Sequence, residues 1–218
     1  MGADGIELDT MLSADGVPVV IHDFTLERTT DGQGRVDEQP LDKLRELDAG
    51  GHFSAEFRGE PLPTLAEVLD AFGSALRINI ELKSHSPGDN GLEARVVELI
   101  RQRGLGPSII FSSFNPLSLW RVRRLAPEIQ RGLLYAPDLP LYLRRAWTAP
   151  FLALAAMHPQ SRMVDARYMR WARGKGYRVN VWTVNDPPEM LRLIELGVDA
   201  LITDRPDVAR KLVDAGRR

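Results

Sequence analysis

Short apolar runs alternate along the chain with longer segments of helical periodicity. The short runs predict strands at 5–9, 77–82, 109–113, 131–135, 153–157, 178–183 and 200–203. Several intervening segments carry helix start signals: Thr64 and Glu67 form a capping box, and Asn115 and Asp186 each precede a proline. This alternation predicts βα units and a parallel sheet.

One further strand, 17–21, returns through the turn at 14–16 and is therefore antiparallel. A two-residue turn at Asp15 and Gly16 pairs Ala14 with Val17 and places His22 opposite Asp9. Seven parallel strands remain, whereas a (β/α)8 barrel needs eight. We therefore expect an α/β barrel of the TIM type that lacks its first strand and helix, which would precede Gly2.

The rest of the organisation is simple. The 218 residues are expected to form a single barrel domain over 1–218. Residues 24–62 are polar and rich in turn signals, and they fit no βα unit. We interpret them as a small insertion at the barrel rim.

Composition narrows the classes of function. A net charge of −2 supplies no broad basic field, so nucleic acid is not an expected partner. The chain has no cysteine, which excludes disulfides and thiolate metal sites. Its most apolar stretch, 149–157, is far too short to span a membrane, and no secretion signal is visible. A cytoplasmic location is the expectation.

Three carboxylates are the main candidates for chemistry. Glu7 and Asp9 share one face of the first strand, and Glu81 ends the next parallel strand. Active sites of such barrels lie at the carboxyl ends of the strands. Three acids there favour a hard cation, Mg²⁺ or Ca²⁺. The alternative for a single acid is a salt bridge with a residue such as Lys83, which shares a face with Glu81 and suits an anionic substrate.

Three other residues are candidates at the same rim. His22 titrates near neutral pH and can donate a proton to a leaving oxygen. His158 follows the strand at 153–157 and could touch an anion, or it could pack under a loop. Trp182 ends the strand at 178–183 and offers an apolar face to a small alcohol, or it belongs to the core. His52, His85 and the arginine-rich segment 121–131 are expected at the surface without a role.

The chain lacks the motifs of several other enzyme classes. It contains no G-x-S-x-G elbow, P-loop or G-x-G-x-x-G motif, so serine hydrolase, NTPase and dinucleotide-binding readings are excluded. Several long segments instead resemble the glycerophosphodiester phosphodiesterase family, in the family's order and over nearly the whole chain. They are GADGIELD (2–9), DGVPVVIHD (15–23), LERTTDGQG (26–34), PLPTLAEVL (61–69), INIELK (78–83), SSFNP (112–116), VNVWTVND (179–186) and GVDALITDRP (197–206).

The resemblance implies a TIM barrel that hydrolyses glycerophosphodiesters to glycerol 3-phosphate and an alcohol with a divalent cation. By resemblance, Glu7, Asp9 and Glu81 match the family's metal-binding acids. His22 matches its presumed general acid. Lys83 and Trp182 match its strand-end lysine and its tryptophan.

The family's opening strand, with its His-Arg-Gly segment, has no counterpart here. That strand supplies a second catalytic histidine and an arginine for the phosphate, so we expect weak or no activity from the 218 residues alone. Open barrel edges would favour self-association. Two alternatives remain: a non-catalytic barrel that binds metal and a phosphorylated ligand, and a phospholipase D-like lipid phosphodiesterase. The absence of an evident lipid-anchoring stretch counts against the second.

Overall fold

Eight strands form one curled sheet in a computed structural model of the chain, which describes residues 1–84 and 88–216. The strands are β1 (Gly5–Leu12), β2 (Pro18–Val20), β3 (Arg77–Leu82), β4 (Ile109–Ser113), β5 (Gln130–Tyr135), β6 (Ala156–Pro159), β7 (Arg178–Val181) and β8 (Ala200–Leu201). Their order is β2-β1-β3-β4-β5-β6-β7-β8, and only β2 is antiparallel to its neighbour. The seven parallel strands and the antiparallel return agree with the sequence-based expectation.

Helices follow the strands along the chain and pack around the curled sheet. They are α1 (Leu41–Arg45), α2 (Leu65–Phe72), α3 (Leu92–Arg103), α4 (Pro116–Leu125), α5 (Leu141–Arg144), α6 (Ala166–Gly174), α7 (Pro187–Leu196) and α8 (Pro206–Ala215). The predicted capping box opens α2, and the side chains of Asn115 and Asp186 cap α4 and α7. The TIM-type fold class predicted from the sequence is confirmed.

The two faces of the sheet have different chemistry. Leu8 of β1 and Ile80 of β3 are buried in one apolar core with Val96 and Ile100 of α3. The alternate residues of the same strands project to the other face because side chains alternate along a strand. Acidic residues at those positions therefore lie on the inner side of the curled sheet.

The hairpin between β1 and β2 differs from the prediction by one residue. Thr10 pairs with Val20, so Ile21 rather than His22 lies opposite Asp9, and its N–H donates to the Asp9 carbonyl oxygen at 3.2 Å. Ser13 N–H donates to the Val17 carbonyl oxygen at 3.0 Å, so the turn holds the three residues between them. Gly16, the last of the three, has a φ of +81°, which glycine adopts without strain. The expected two-residue turn was wrong.

The sixth strand also begins later than predicted. Residues Ala149–Phe151 form a 3₁₀ turn, and Ala153 has a φ of +49°, which extended backbone does not adopt. The guanidinium of Arg131 donates to the carbonyl oxygens of Leu152 and Ala153 and holds this bend. The strand therefore runs over Ala156–Pro159, and His158 lies within it.

Residues 24–62 form no βα unit in the structure. They contain α1 and two 3₁₀ turns, Val36–Glu38 and Ala55–Phe57. Their apolar side chains, among them Leu26, Val36 and Leu44, pack with Val19 and Ile21 of the hairpin in a core of their own. The segment is thus fastened to the hairpin that carries the candidate site.

The sheet is not continuous around the barrel. Among the described residues, no strand lies between β8 and the first half of β1. Helix α8 approaches this edge, where Arg210 Nη1 lies 3.3 Å from an oxygen of Asp4. Asp204, just after β8, is close enough to β1 for its charge to act on Glu7.

Candidate active site

Three carboxylates converge on one face of β1 and β3, with Glu7 and Asp9 in the middle of β1 and Glu81 near the carboxyl end of β3. Asp9 is directly in register with Glu81, and Glu7 lies two residues before Asp9 on the same face. One carboxylate oxygen from each of the three lies within 4.8 Å of the others. The sequence predicted this convergence from the period of the strands together with the parallel pairing of neighbouring strands.

Lys83 continues the same face of the chain beyond β3 and enters the carboxylate cluster. Its Nζ lies 3.0 Å from Asp9 Oδ1 and 3.2 Å from Glu81 Oε1, and its side chain is only 12% exposed. Burial by itself would lower the pKa of Lys83, but the charges of Glu81 and Asp9 outweigh it and raise that pKa. Lys83 therefore stays a cation within the site.

The cluster holds more negative charge than one ammonium can balance. Partial removal from water, followed by the charges of Asp9 and Glu81, raises the pKa of Glu7 to about 8 although its side chain still reaches solvent. Burial also raises the pKa of Glu81, against the opposing effect of Lys83. Three carboxylates, of which Glu7 retains a proton near neutral pH, fit a divalent cation, which could take the proton's place.

His22 lies at the edge of this cluster and is oriented by two neighbours. Its Nδ1 lies 2.5 Å from Asp23 Oδ1, and the guanidinium of Arg28 donates to both carboxylate oxygens of Asp23. These hydrogen bonds hold the pKa of Asp23 well below its usual range, and those from Arg28 have the largest effect. An ionised Asp23 favours the proton on Nδ1 of His22, which leaves Nε2 as the nitrogen available to a substrate.

Asp23 and Arg28 were not singled out from the sequence. Asp23 follows His22 directly, and Arg28 lies in the LERTT segment five residues further on. An acid adjacent to a candidate catalytic histidine is the signal that could have identified this pair.

Two cavities open onto the carboxylate cluster. One, of about 330 Å³, is lined by Glu7, Asp9 and His22 together with residues of the hairpin and the 24–62 segment. The other, of about 170 Å³, is lined by Glu81 and Lys83 and by residues that follow β4. The acids, the lysine and the histidine are thus all accessible to a small molecule.

Trp182 lies half-buried just after β7 and forms part of the same rim. Its ring meets that of Phe114 edge to face, with centroids 5.4 Å apart, and Phe114 lines the smaller cavity. The indole N–H of Trp182 donates to the carbonyl oxygen of His158 at 2.7 Å. Phe114 was missed by the sequence analysis, although it lies in the SSFNP segment.

The structure does not place His158 at the rim. Its side chain is fully buried, and burial lowers its pKa to about 3, so the ring is neutral. Its Nε2 lies 3.0 Å from the Asn180 amide nitrogen. A Cβ at Gly132 would come within 2.3 Å of the same nitrogen, so only glycine fits there. The expected contact of His158 with an anion is therefore corrected, because the residue lies inside β6.

Comparison with known proteins decides the family. Residues 1–208 match the model of the Glycerophosphoryl diester phosphodiesterase family. The chain belongs to this family. Its members hydrolyse glycerophosphodiesters, and the resemblance inferred from the sequence is thereby confirmed, as is the enzyme class.

Relatives in this family cover almost all of the chain. A glycerophosphodiester phosphodiesterase of Caldanaerobacter subterraneus subsp. tengcongensis is 37% identical over 99% of this chain and 88% of its own length. A phosphodiesterase of Oleispira antarctica, solved in complex with the product sn-glycerol-3-phosphate, is 34% identical, with a TM-score of 0.84 over 98% of this chain and 86% of that one. A putative glycerophosphoryl diester phosphodiesterase structure from Silicibacter pomeroyi is 28% identical with a TM-score of 0.87 over 99% and 85%.

The sequence analysis also expected two histidines and one arginine-rich segment at the surface without a role. His52 is exposed, as expected, and His85 lies outside the described residues. Arg131 of that segment is buried and not at the surface. Its guanidinium donates to backbone carbonyl oxygens, among them that of Ile129. Within the described residues, no helix is long and apolar enough to cross a bilayer.

Proposed function

We propose that this phosphodiesterase holds a divalent cation, Mg²⁺ or Ca²⁺, between Glu7, Asp9 and Glu81, and that His22 acts as its general acid. The observation that carries the proposal is the convergence of three carboxylates, one buried lysine and an Asp-oriented histidine, which line two cavities at this site. The products would be glycerol 3-phosphate and an alcohol.

Lys83 is proposed to bind the substrate phosphate. Its ammonium is nearly buried and already lies among the carboxylates, so a phosphate oxygen can approach it without a rearrangement of the chain. A fixed cation in a site of low water content stabilises charge that develops on the phosphate. A bound divalent cation would add Lewis-acid stabilisation of the same charge.

His22 is proposed to protonate the leaving oxygen through Nε2. Asp23 accepts a hydrogen bond from Nδ1–H and so fixes the tautomer and the orientation of the ring, while Arg28 keeps Asp23 ionised. This leaves a proton on Nε2 when the ring is charged, which is the form that a general acid needs.

Trp182 and Phe114 are proposed to bind the glycerol moiety. Phe114 lines the same cavity as Lys83, and Trp182 packs edge to face against Phe114. His158 has no place in the proposal because it is buried behind Trp182.

The test is the release of glycerol 3-phosphate from glycerophosphocholine by the 218-residue chain with Mg²⁺ or Ca²⁺. Release that His22→Ala abolishes and His52→Ala leaves unchanged would support the proposal. Cation binding without release would contradict hydrolysis by this chain. That second result would match the sequence-based expectation of weak activity and would favour the non-catalytic barrel.

Two finer predictions are tested beside this assay. Titration calorimetry with each cation in turn distinguishes Mg²⁺ from Ca²⁺. Self-association through the edges of β8 and β1 stays a prediction, and sedimentation velocity at increasing protein concentration tests it.

A further inference from the structure

The small net charge conceals a strong separation of charge along the chain. Residues 101–185 contain 14 of the 28 basic residues but only 3 of the 30 acidic ones, so they carry a net charge of +11 against −13 elsewhere. This range extends from the end of α3 to just past β7. The carboxylate cluster belongs to the acidic remainder, so this basic region is not part of the metal site.

Exposed aromatic side chains concentrate in the same basic region. Trp120 is 42% exposed, Tyr142 51%, Trp147 57% and Phe151 70%. Leu117 and Leu141 are each 44% exposed beside them. A monomeric protein rarely gathers so much apolar surface without a partner for it.

These residues form one surface because α4 packs on the segment 141–152. Leu119 of α4 shares a buried core with Ala149 and Leu152. Arg123 Nη1 lies 2.5 Å from the carbonyl oxygen of Phe151, which ties the two segments together at the surface. We call this surface the basic aromatic face, and it comprises Leu117, Trp120, Arg123, Arg124, Leu141, Tyr142, Arg144, Arg145, Trp147 and Phe151.

The arginines of the basic aromatic face have no acidic counterpart. Among the described residues, Arg123, Arg124, Arg144 and Arg145 form no salt bridge with a carboxylate. The sequence from 139 to 164 contains no acidic residue. The charge of this face is therefore available to an external anionic surface.

We propose that the basic aromatic face docks this protein onto an anionic lipid bilayer. Tryptophan and tyrosine favour the boundary between headgroups and acyl chains, where arginine can reach the lipid phosphates. The leucines at the same face add aliphatic surface, which suits acyl chains and offers nothing to a nucleobase. Arg124 lies over the Trp120 ring at 4.9 Å from its centroid, so that face of the ring is not free for base stacking.

The basic aromatic face runs along the side of the barrel, and one end of it lies near the active-site mouth. Leu117 is two residues beyond Asn115, which lines the smaller cavity, and Leu141 begins α5 after the carboxyl end of β5. Both lie toward the end of the barrel that holds the carboxylates, whereas Arg123 near the end of α4 and Phe151 before β6 lie toward the opposite end. The inference adds a place of action to the proposed hydrolysis and does not depend on it.

Sedimentation with lipid vesicles tests the proposal. The chain is expected to bind vesicles of phosphatidylcholine mixed with phosphatidylglycerol, and to bind pure phosphatidylcholine at least tenfold more weakly, because about 1 kcal/mol per surface arginine is lost without anionic lipid. Raising the salt from about 0.1 M to about 1 M shortens the Debye length from about 10 to about 3 Å and should release the protein.

Two variants with matched controls separate docking from general charge effects. Arg144→Gln with Arg145→Gln is expected to weaken binding about 30-fold, whereas Arg58→Gln with Arg77→Gln removes the same net charge elsewhere and should leave binding unchanged. Trp147→Ser with Phe151→Ser should abolish binding, and Phe53→Ser with Phe57→Ser should not. Circular dichroism confirms that each variant is folded.

Several results would overturn the proposal. They are no binding to anionic vesicles, equal losses in the variants and their controls, and binding of single-stranded RNA with the same variant dependence but no binding of vesicles. A shift of the Trp147 and Phe151 variant from dimer to monomer without any vesicle binding by the parent chain would show that a second copy covers this face instead.

Discussion

The ammonium nitrogen of Lys83 lies 3.0 Å from a carboxylate oxygen of Asp9, inside the group of acids proposed to hold the cation. Lys83 also contacts Glu81, so two of the three acids are already paired with it. This lysine therefore has two opposed effects on the site. Its charge attracts the substrate phosphate and repels a divalent cation.

Replacing this ammonium should separate the two effects. In Lys83→Met, we expect cation affinity to rise about tenfold, because one unit of repulsion is removed, while kcat/KM falls by about 10² or more because a fixed charge on the phosphate is lost. Titration calorimetry and the glycerol 3-phosphate assay measure the two. Lys83→Arg is the control and should retain cation affinity. A full recovery of turnover in Lys83→Met at saturating cation would show that Lys83 serves charge balance alone.

The orienting pair at His22 gives a second prediction. His22→Ala should lower kcat by about 10²–10⁴, and Asp23→Asn should lower it by less, because the histidine remains but its tautomer is no longer fixed. Neither change should alter cation affinity by more than about threefold, since neither residue is among the proposed ligands. Equal activity of His22→Ala and the exposed control His52→Ala would exclude His22 as the general acid.

The raised pKa of Glu7 predicts a pH dependence of cation binding. Below about pH 8 Glu7 retains a proton, which a cation must displace. The apparent affinity should therefore rise by up to about tenfold per pH unit toward pH 8 and level off above it. Calorimetry across this range measures the slope, and Glu7→Gln should flatten it. An affinity independent of pH in the parent chain would contradict the prediction.

Glu7 also makes the free energy of unfolding of the metal-free protein depend on pH. A carboxyl whose pKa is higher in the folded chain binds more protons there than in the unfolded chain, over the range between its ordinary pKa of 4.5 and the raised value of about 8. Glu7 therefore contributes a fall in the free energy of unfolding as pH rises through this window. Glu7→Gln should remove that contribution, and a saturating cation should offset it.

His158 predicts the opposite slope at acid pH. Burial lowers its pKa from 6.5 to about 3, so below pH 6.5 the unfolded chain takes up a proton that the folded chain refuses. The free energy of unfolding should fall with decreasing pH by up to about 1.4 kcal/mol per unit from this residue. In His158→Gln, the free energy of unfolding measured with urea should depend less steeply on pH below 6.5, by the equivalent of one proton taken up on unfolding. This difference in slope is expected whatever the stability of the variant at neutral pH. The exposed control His52→Gln should retain the parent slope.

The sequence predicted the carboxylate cluster because it depends on local rules alone. Strand period places Glu7 and Asp9 on one face, and parallel pairing of successive strands brings Glu81 alongside. Lys83 follows from the same period. These relations hold for any parallel sheet, so no knowledge of distant contacts was needed.

The hairpin register could not be predicted because a distant contact selects the turn. The Asp15 carboxylate accepts the N–H of Leu41, and Ala14 N–H donates to the carbonyl oxygen of Gln39. These bonds come from the 24–62 segment and favour three turn residues over two. His22 still reaches the site, because it lies beyond the end of β2 and is oriented by Asp23 rather than by strand pairing.

Other errors share this origin in tertiary structure. The apolar residues at 153–157 have no periodic pattern that would show where a bend ends and the strand begins. The bend is held by Arg131 of β5. The basic aromatic face escaped notice because the residues from Leu141 to Phe151 follow neither a helical nor a strand period. Its arginines and aromatic rings become one surface only when α4 packs against the segment 141–152.

Asp9 belongs at once to the hairpin and to the carboxylate cluster: its backbone carbonyl accepts the Ile21 N–H, and its side chain meets Lys83. Opening of the hairpin must therefore disturb the acid cluster, and filling the cluster must hold the hairpin shut. The exchange of the Ile21 amide hydrogen with deuterated water should slow when a divalent cation is added. The exchange rate of this one amide therefore distinguishes the protein without a cation from the protein with one, and its measurement needs neither substrate nor turnover.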